Sequence, residues 1–178
     1  MKTAVLEKIT NVRDNPQPLS FVDVPDPVPG KRQILIRVSA CGVCHTELDE
    51  IEGRTPPSSF PFILGHQIVG VVKALGPQAM KFSEGQRVGI GWIGSACGKC
   101  PACKRGLDNL CRDFKATGRD LPGGYAQYVA YLVFNHIDLR VCQVYLVYNR
   151  YYYKAMLLCQ VKIGDCLGLH ALSRVYDQ

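Results

Sequence analysis

Cys97, Cys100, Cys103 and Cys111 follow one another as C-x2-C-x2-C-x7-C. Two residues between cysteines let a tight turn aim both sulfurs at one point. Zinc takes four ligands in a tetrahedron, each sulfur about 2.3 Å away. Three close thiols and a fourth one loop later can close that tetrahedron with no open position. Such a site is structural: it fixes a loop and contributes folding energy. Lys99, Lys104 and Arg105 flank the cluster and offset thiolate charge. An iron–sulfur cluster or reactive thiols are the other chemistries open to this spacing.

Immediately before the cluster, Gly89 to Gly94 reads GIGWIG and fits G-x-G-x-x-G. A dinucleotide turn of that form needs a strand before it and a helix after it, so that the helix N-terminus meets the phosphates. Here a cysteine-studded loop with Gly98, Pro101 and Gly106 follows instead. No acidic residue ends a second strand about twenty residues on. The glycine pattern is read as chance.

A second constellation lies upstream. CGVCHTELDEIEG carries Cys41, Cys44, His45, Thr46, Glu47 and Asp49, and PFILGHQIVG carries His66. A thiolate and an imidazole at the ends of different strands can share a zinc. A catalytic zinc has three protein ligands and one exchangeable position. The alternative is that Cys44 and His66 are simply buried.

These residues need elements to hold them. RQILIRVSACGV, GHQIVGVVKALG, QRVGIGWIG and GGYAQYVAYLVF read as strands, punctuated by PDPVPGK, RTPPSSFPF, ALGPQ, SEGQ and LPGG. The pattern predicts a mainly β fold with short helices, built as a partly open barrel. The early helix falls around Cys44 to Gly53. After about residue 131 the composition changes: all 11 prolines precede that point, and seven of the nine tyrosines lie from Tyr131 onward. Neither helical nor strand periodicity is clean there.

The 178 residues suit one domain, or one domain plus a fragment. The N-terminal stretch carries charges throughout and no apolar run approaches the length of a membrane span, so a cytoplasmic chain is expected, with no membrane partner. Nine cysteines, an odd number, clustered and without a secretion signal, argue for metal or thiol chemistry over a disulfide framework. The net charge of +6 invites a nucleic-acid reading. The Lys and Arg residues are spread without a basic block, and four thiolates on one zinc would lower the total, so no nucleic-acid partner is expected.

The motifs occur together in an order that resembles the zinc-dependent medium-chain alcohol dehydrogenases over roughly residues 1–130. V-x-A-C-G-V-C-H-T-E-L is similar to that family's first zinc-ligand motif, and P-F-I-L-G-H-Q-I-V-G to its G-H-E-x-x-G motif. V-K-A-L-G-P-Q-A-M-K-F-S-E-G-Q-R-V-G resembles its connecting strands. W-I-G-S-A-C-G-K-C-P-A-C-K-R-G-L-D-N-L-C resembles its structural zinc lobe, and G-G-Y-A-Q-Y-V the strand after it. The resemblance implies a GroES-like β-barrel for this half, with zinc and NAD(P) as cofactors and a small alcohol or aldehyde as substrate.

By the same resemblance, Cys44 and His66 stand as two catalytic zinc ligands. Thr46 stands as the hydroxyl that meets the substrate alcohol. His45 stands where the family contacts cofactor phosphate or joins the proton relay. Glu47 replaces the usual Asp and can orient His66 through its other ring nitrogen. Trp92 stands in the substrate pocket, with core packing as its alternative. Cys41 matches no ligand. Gln67 replaces the Glu of G-H-E and removes a charge near the zinc, and Gln86 replaces an Asp.

The tail from residue 131 departs from the family. It shows no Gly-rich turn, so a complete Rossmann domain is not expected within the chain. MLLCQ makes Cys159 the candidate third zinc ligand, ahead of Cys142 and Cys166, while His136 and His170 are given no metal role. The chain stops at about half the family's length, which suggests truncation, through a reading-frame change near residue 131, or else a natural short variant. The expected activity is therefore alcohol dehydrogenase chemistry at the level of the family, impaired in this chain. The rivals are a non-catalytic zinc-binding GroES-like module and a zinc-ribbon nucleic-acid binder.

Overall fold

The computed structural model describes residues 1–132. The expectations placed on Cys159, Cys142, Cys166, His136 and His170 lie outside the described residues.

The order is β1 (Lys2–Leu6), β2 (Leu19–Asp23), β3 (Gln33–Gly42), α1 (His45–Ile51), β4 (Gln67–Leu75), β5 (Arg87–Ile90), β6 (Ile93–Ser95), α2 (Pro101–Lys104), a 3-10 turn (Asp108–Leu110), β7 (Lys115–Ala116) and β8 (Tyr128–Leu132). The fold is mainly β with short helices, as expected. β5, β4, β3 and β8 form one antiparallel sheet in that order. β1 pairs with β2, and β6 with β7, as separate two-stranded units. Among the described residues the strands do not close into a barrel.

Alternation explains the sheet. Ile34 and Ile36 of β3, Ile68 and Val72 of β4, Val88 and Ile90 of β5 and Val129 of β8 are all buried. Side chains two apart share a face, and each such aliphatic group contributes roughly 1.5–3 kcal/mol when fully buried. A second cluster forms from Leu6, Ile51 and Leu64, with Val12, Leu19, Phe62 and Tyr125 packed against it. It ties β1, α1 and the segment before β4 together.

Two sequence expectations need correction. QRVGIGWIG is not one strand: it breaks at Gly91–Trp92 into β5 and β6, so that the cysteine lobe leaves the main sheet. The N-terminal hairpin of β1 and β2 was not expected. LSFVD offers no apolar alternation, since its exposure runs against it and Phe21 is largely exposed.

Residues 62–65 are threaded between two other segments. Leu6 and Phe62 exchange both backbone hydrogen bonds, at 2.8 and 3.0 Å. On the other side Gly123 N–H donates to Ile63 O, Gly124 N–H to Gly65 O and Tyr125 N–H to Leu64 O. A Cβ on Gly123 would fall 2.2 Å from Leu64 O, so this approach is possible only for glycine. Gly65 itself has φ +94°, which reverses the chain into His66.

Candidate metal centres

The β3–β4 ladder ends with Gly42 opposite Gln67. Cys44 lies two residues past that end of β3, and His66 one residue before β4. The ladder therefore delivers both side chains to one place, and Cys44 Sγ lies 3.7 Å from His66 Nε2. A sulfur and an imidazole nitrogen on one tetrahedral zinc should stand about 3.6 Å apart, from bond lengths of about 2.3 and 2.0–2.1 Å.

Cys44 is also the N-cap of α1. Its Sγ accepts the Thr46 N–H at 3.4 Å, and Glu47 Oε2 accepts the Cys44 N–H at 2.7 Å. Together these form a reciprocal capping arrangement that starts the helix. The other oxygen of Glu47 lies 2.8 Å from His66 Nδ1. Burial raises the Glu47 carboxyl, but the contacts with His66 and the Cys44 N–H outweigh this and hold it below the usual carboxylate range. Glu47 is thus an ionised acceptor that turns Nε2 of His66 toward Cys44. Cys44, Glu47 and His66 bring their ligand atoms within 4.8 Å of one another.

Trp92 meets His66 edge-on, with ring centroids 5.0 Å apart. The Arg119 guanidinium carbon stands 5.3 Å from the Trp92 centroid. Thr46 lies in the first turn of α1, and its N–H reaches Cys44 Sγ. His45 is exposed, its Nε2 3.5 Å from Asp49 Oδ1. Gln67 is exposed too, and its Oε1 overlies Gly42, where a Cβ would come within 2.3 Å. Cys41 belongs to neither metal group. It packs beneath Gly65 and Gly124, and burial pushes its thiol up to about 11.

The second group is Cys97, Cys100, Cys103 and Cys111, again within 4.8 Å of one another. Cys100 and Cys103 sulfurs are 3.5 Å apart, and Cys97 and Cys103 sulfurs 4.0 Å. Four sulfurs on one zinc at about 2.3 Å lie about 3.8 Å apart, so the set fits. Backbone N–H groups point at these sulfurs: Cys97 N–H to Cys111 Sγ and Cys100 N–H to Cys97 Sγ, both at 3.3 Å, and Cys103 N–H to Cys100 Sγ at 3.5 Å. The last of these does most to lower the Cys100 thiol to about 7. Phe114 packs on the cluster and, at 6.2 Å, on Trp92, so one aromatic contact joins the two centres.

Two residues near the first centre were not singled out in the sequence. Glu50 is fully buried one turn after Glu47. Arg119 holds Asp120 through Nε at 3.3 Å and a terminal nitrogen at 2.7 Å. The spacing of Glu47, Glu50 and Ile51 marks the inner face of α1, and this is the signal that could have found Glu50.

Among the described residues no helix is long and apolar enough to cross a membrane. Residues 30–140 match the family model described as the alcohol dehydrogenase GroES-like domain. An alcohol dehydrogenase of Rhizobium meliloti (strain 1021) is 44% identical over 119 residues, which is 66% of this chain and 35% of that protein. An alcohol dehydrogenase of Moraxella sp. (strain TAE123) is 40% identical over 130 residues, 72% of this chain and 37% of its own length. The chain therefore spans little more than a third of these relatives. Among solved structures, an NAD-dependent alcohol dehydrogenase superposes with a TM-score of 0.66 at 31% identity, covering 74% of this chain and 37% of that one. A cobalt- and zinc-bound thermostable alcohol dehydrogenase from Pyrobaculum aerophilum gives a TM-score of 0.67 at 28% identity, covering 74% and 39%.

Proposed function

The chain belongs to the alcohol dehydrogenase GroES-like domain family, and from that premise we propose that it forms the substrate-binding half of a zinc-dependent alcohol dehydrogenase. The observation that carries this reading is Glu47, one carboxylate that reaches both Cys44 and His66. A histidine that ligates metal through one ring nitrogen commonly gives the other to a carboxylate, and a merely buried Cys–His pair needs no such arrangement.

In this reading Cys44 and His66 hold a zinc whose chemistry is Lewis-acid polarisation of an alcohol or carbonyl oxygen. Thr46 binds the substrate hydroxyl and takes part in removing its proton. His45, exposed at the start of α1, meets cofactor phosphate, with NAD(P) as the hydride partner. Trp92 forms a wall of the substrate pocket beside His66. Gln67 leaves the site with one fewer negative charge than a Glu would. Cys97, Cys100, Cys103 and Cys111 hold a second zinc that fixes the lobe carrying Phe114 and the Trp92 edge. The substrate is a small primary or secondary alcohol, or the matching aldehyde or ketone. The domain occupies roughly residues 1–130.

The test is zinc per chain in the purified protein. A value near two, falling by one in Cys44→Ser and by one in Cys97→Ser, is expected. A value near one, unchanged in Cys44→Ser, sinks the catalytic reading and leaves a zinc-binding module without a catalytic metal.

A further inference from the structure

Cys44 and His66 both lie beyond the last rung of the β3–β4 ladder, which is Gly42 opposite Gln67. The ladder's own hydrogen bonds therefore stop short of the two residues. Glu47 joins their side chains, but the backbone that carries them needs its own support. Tyr125 touches both strand ends, and the proposed function gives it no task.

Tyr125 lies shortly before β8 and is anchored by its main chain. Its N–H donates to Leu64 O at 3.1 Å, and its carbonyl accepts the Ala4 N–H at 2.8 Å and the Thr3 hydroxyl at 3.0 Å. These bonds tie it to β1 on one side and to the segment leading into His66 on the other. The ring then crosses Gly65. A Cβ built on Gly65 would stand 2.7 Å from Cδ1 of the ring and 2.8 Å from Cε1. The aromatic edge thus fills the space that any larger residue at Gly65 would need. Gly65 has φ +94°, a conformation that glycine alone adopts readily. The phenol oxygen reaches the other strand end, where it donates to Gly42 O at 3.4 Å. Gly65 stands one residue before His66, and Gly42 two before Cys44. One side chain spans the gap between them. The same ring packs on the cluster of Leu6, Ile51 and Leu64, which keeps it from swinging away.

We propose that Tyr125 is a positioning residue for the first metal centre: a strut between Gly65 and Gly42 that holds the Cys44 thiolate and the His66 imidazole at the separation one zinc ion requires. The ring fixes the Gly65 side and the hydroxyl the Gly42 side. The ring carries the larger share, because 3.4 Å is long for an O–H···O bond. The inference rests on the proposed function for the ion. The strut itself belongs to the metal-free chain and is measurable there.

The experiment takes two readouts on the full chain: amide hydrogen exchange by NMR without metal, and zinc affinity by competition against a coloured chelator. On the Cys44 side the reporter is the Cys44 N–H, which Glu47 accepts. On the His66 side it is the Gly124 N–H, which Gly65 O accepts at 2.8 Å. The Val72 N–H, bonded to Gln86 O in the β4–β5 region, is the control. Tyr125→Phe removes the hydroxyl alone, and should speed exchange at Cys44 but not at Gly124. Tyr125→Leu removes the ring as well, and should speed both, with Val72 unchanged. Tyr125→Leu should also weaken zinc at the first site by about 10-fold, the low end for residues that orient metal ligands, and Tyr125→Phe by less. The four-cysteine site separates positioning from packing. A residue that serves only the core lowers both zinc affinities together, because metal binding is coupled to folding. Equal losses at the two sites, or no loss at the first site in Tyr125→Leu, overturn the proposal. If Tyr125→Leu does not fold, Tyr125→Phe decides: faster exchange at Cys44 with weaker zinc at the first site supports the strut, and no change in either overturns it. If the wild type binds no zinc at Cys44, the site reading fails, and the exchange pattern alone decides whether the strut exists. Two zinc ions in the wild type with unaltered variants leave the site reading standing and refute the strut.

Discussion

Glu47 Oε1 lies 2.8 Å from Nδ1 of His66, which leaves Nε2 as the nitrogen that faces Cys44 Sγ. Glu47→Gln keeps the length of the side chain and removes the charge. It should weaken zinc binding at Cys44 and His66 by about 10–100-fold, with the four-cysteine site unaffected. Competition against a coloured chelator reads both affinities in one titration. An unchanged weaker site would mean that Glu47 serves α1 alone.

Glu47 also caps α1 through the Cys44 N–H. Glu47→Ala should therefore cost more than Glu47→Gln in stability, by about 1 kcal/mol, the usual worth of a helix cap. Urea unfolding of both variants in metal-free buffer checks this. Equal midpoints would leave the cap without measurable value.

The Glu50 carboxyl is raised in the folded chain, from an ordinary value of 4.5 to about 8. Between those pH values the folded state binds the proton and the unfolded state does not. The contribution is thus fully present below 4.5 and is lost as pH rises toward 8. Stability should fall across that window with a slope of up to about 1.4 kcal/mol per pH unit. Glu50→Gln should flatten it. Denaturation midpoints at several pH values decide, and equal slopes in both proteins would refute the assignment.

Gly123 has Leu64 O at 2.2 Å from the place where a Cβ would stand. Gly123→Ala must push residues 63–65 away, and these lead directly into His66. A loss of about 1–3 kcal/mol is expected, in the range of overpacked interiors, together with weaker zinc binding at the first site. A variant with full stability and full zinc would show that the strand segment can move without moving His66.

Removal of zinc from the four-cysteine lobe should loosen Phe114 and, through it, Trp92. Chelator treatment of Cys44→Ser, which keeps only that lobe's metal, should therefore shift Trp92 emission to longer wavelength. No shift would mean that the lobe holds its shape without the ion, against the usual behaviour of small zinc-bound units.

Chemistry written in short segments was legible in the sequence. The C-x2-C-x2-C run brings sulfurs together through local turns, and Cys44 to Glu47 is one turn of helix with its own cap. The sheet was legible as well, because Ile34, Ile36, Ile68 and Val72 alternate. The break at Gly91–Trp92 was not, since the apolar pattern runs through it and the cause is the cysteine lobe pulling away. Glu50 was hidden for a different reason. Next to Asp49 and Glu52 it reads as part of a solvated acidic face. It lies instead on the buried face of α1 with Glu47 and Ile51.

Cys44 and His66 are 22 residues apart along the chain, at the open end of the β3–β4 ladder. An ion held by both would turn the intervening segment into a covalently anchored ring. Closing a loop of this size removes unfolded-state entropy on the order of 3 kcal/mol, by analogy with a disulfide. The stretch RTPPSSFP would then be the arc of that ring. Its rate of cutting by a nonspecific protease becomes a clock for ion residence at the site.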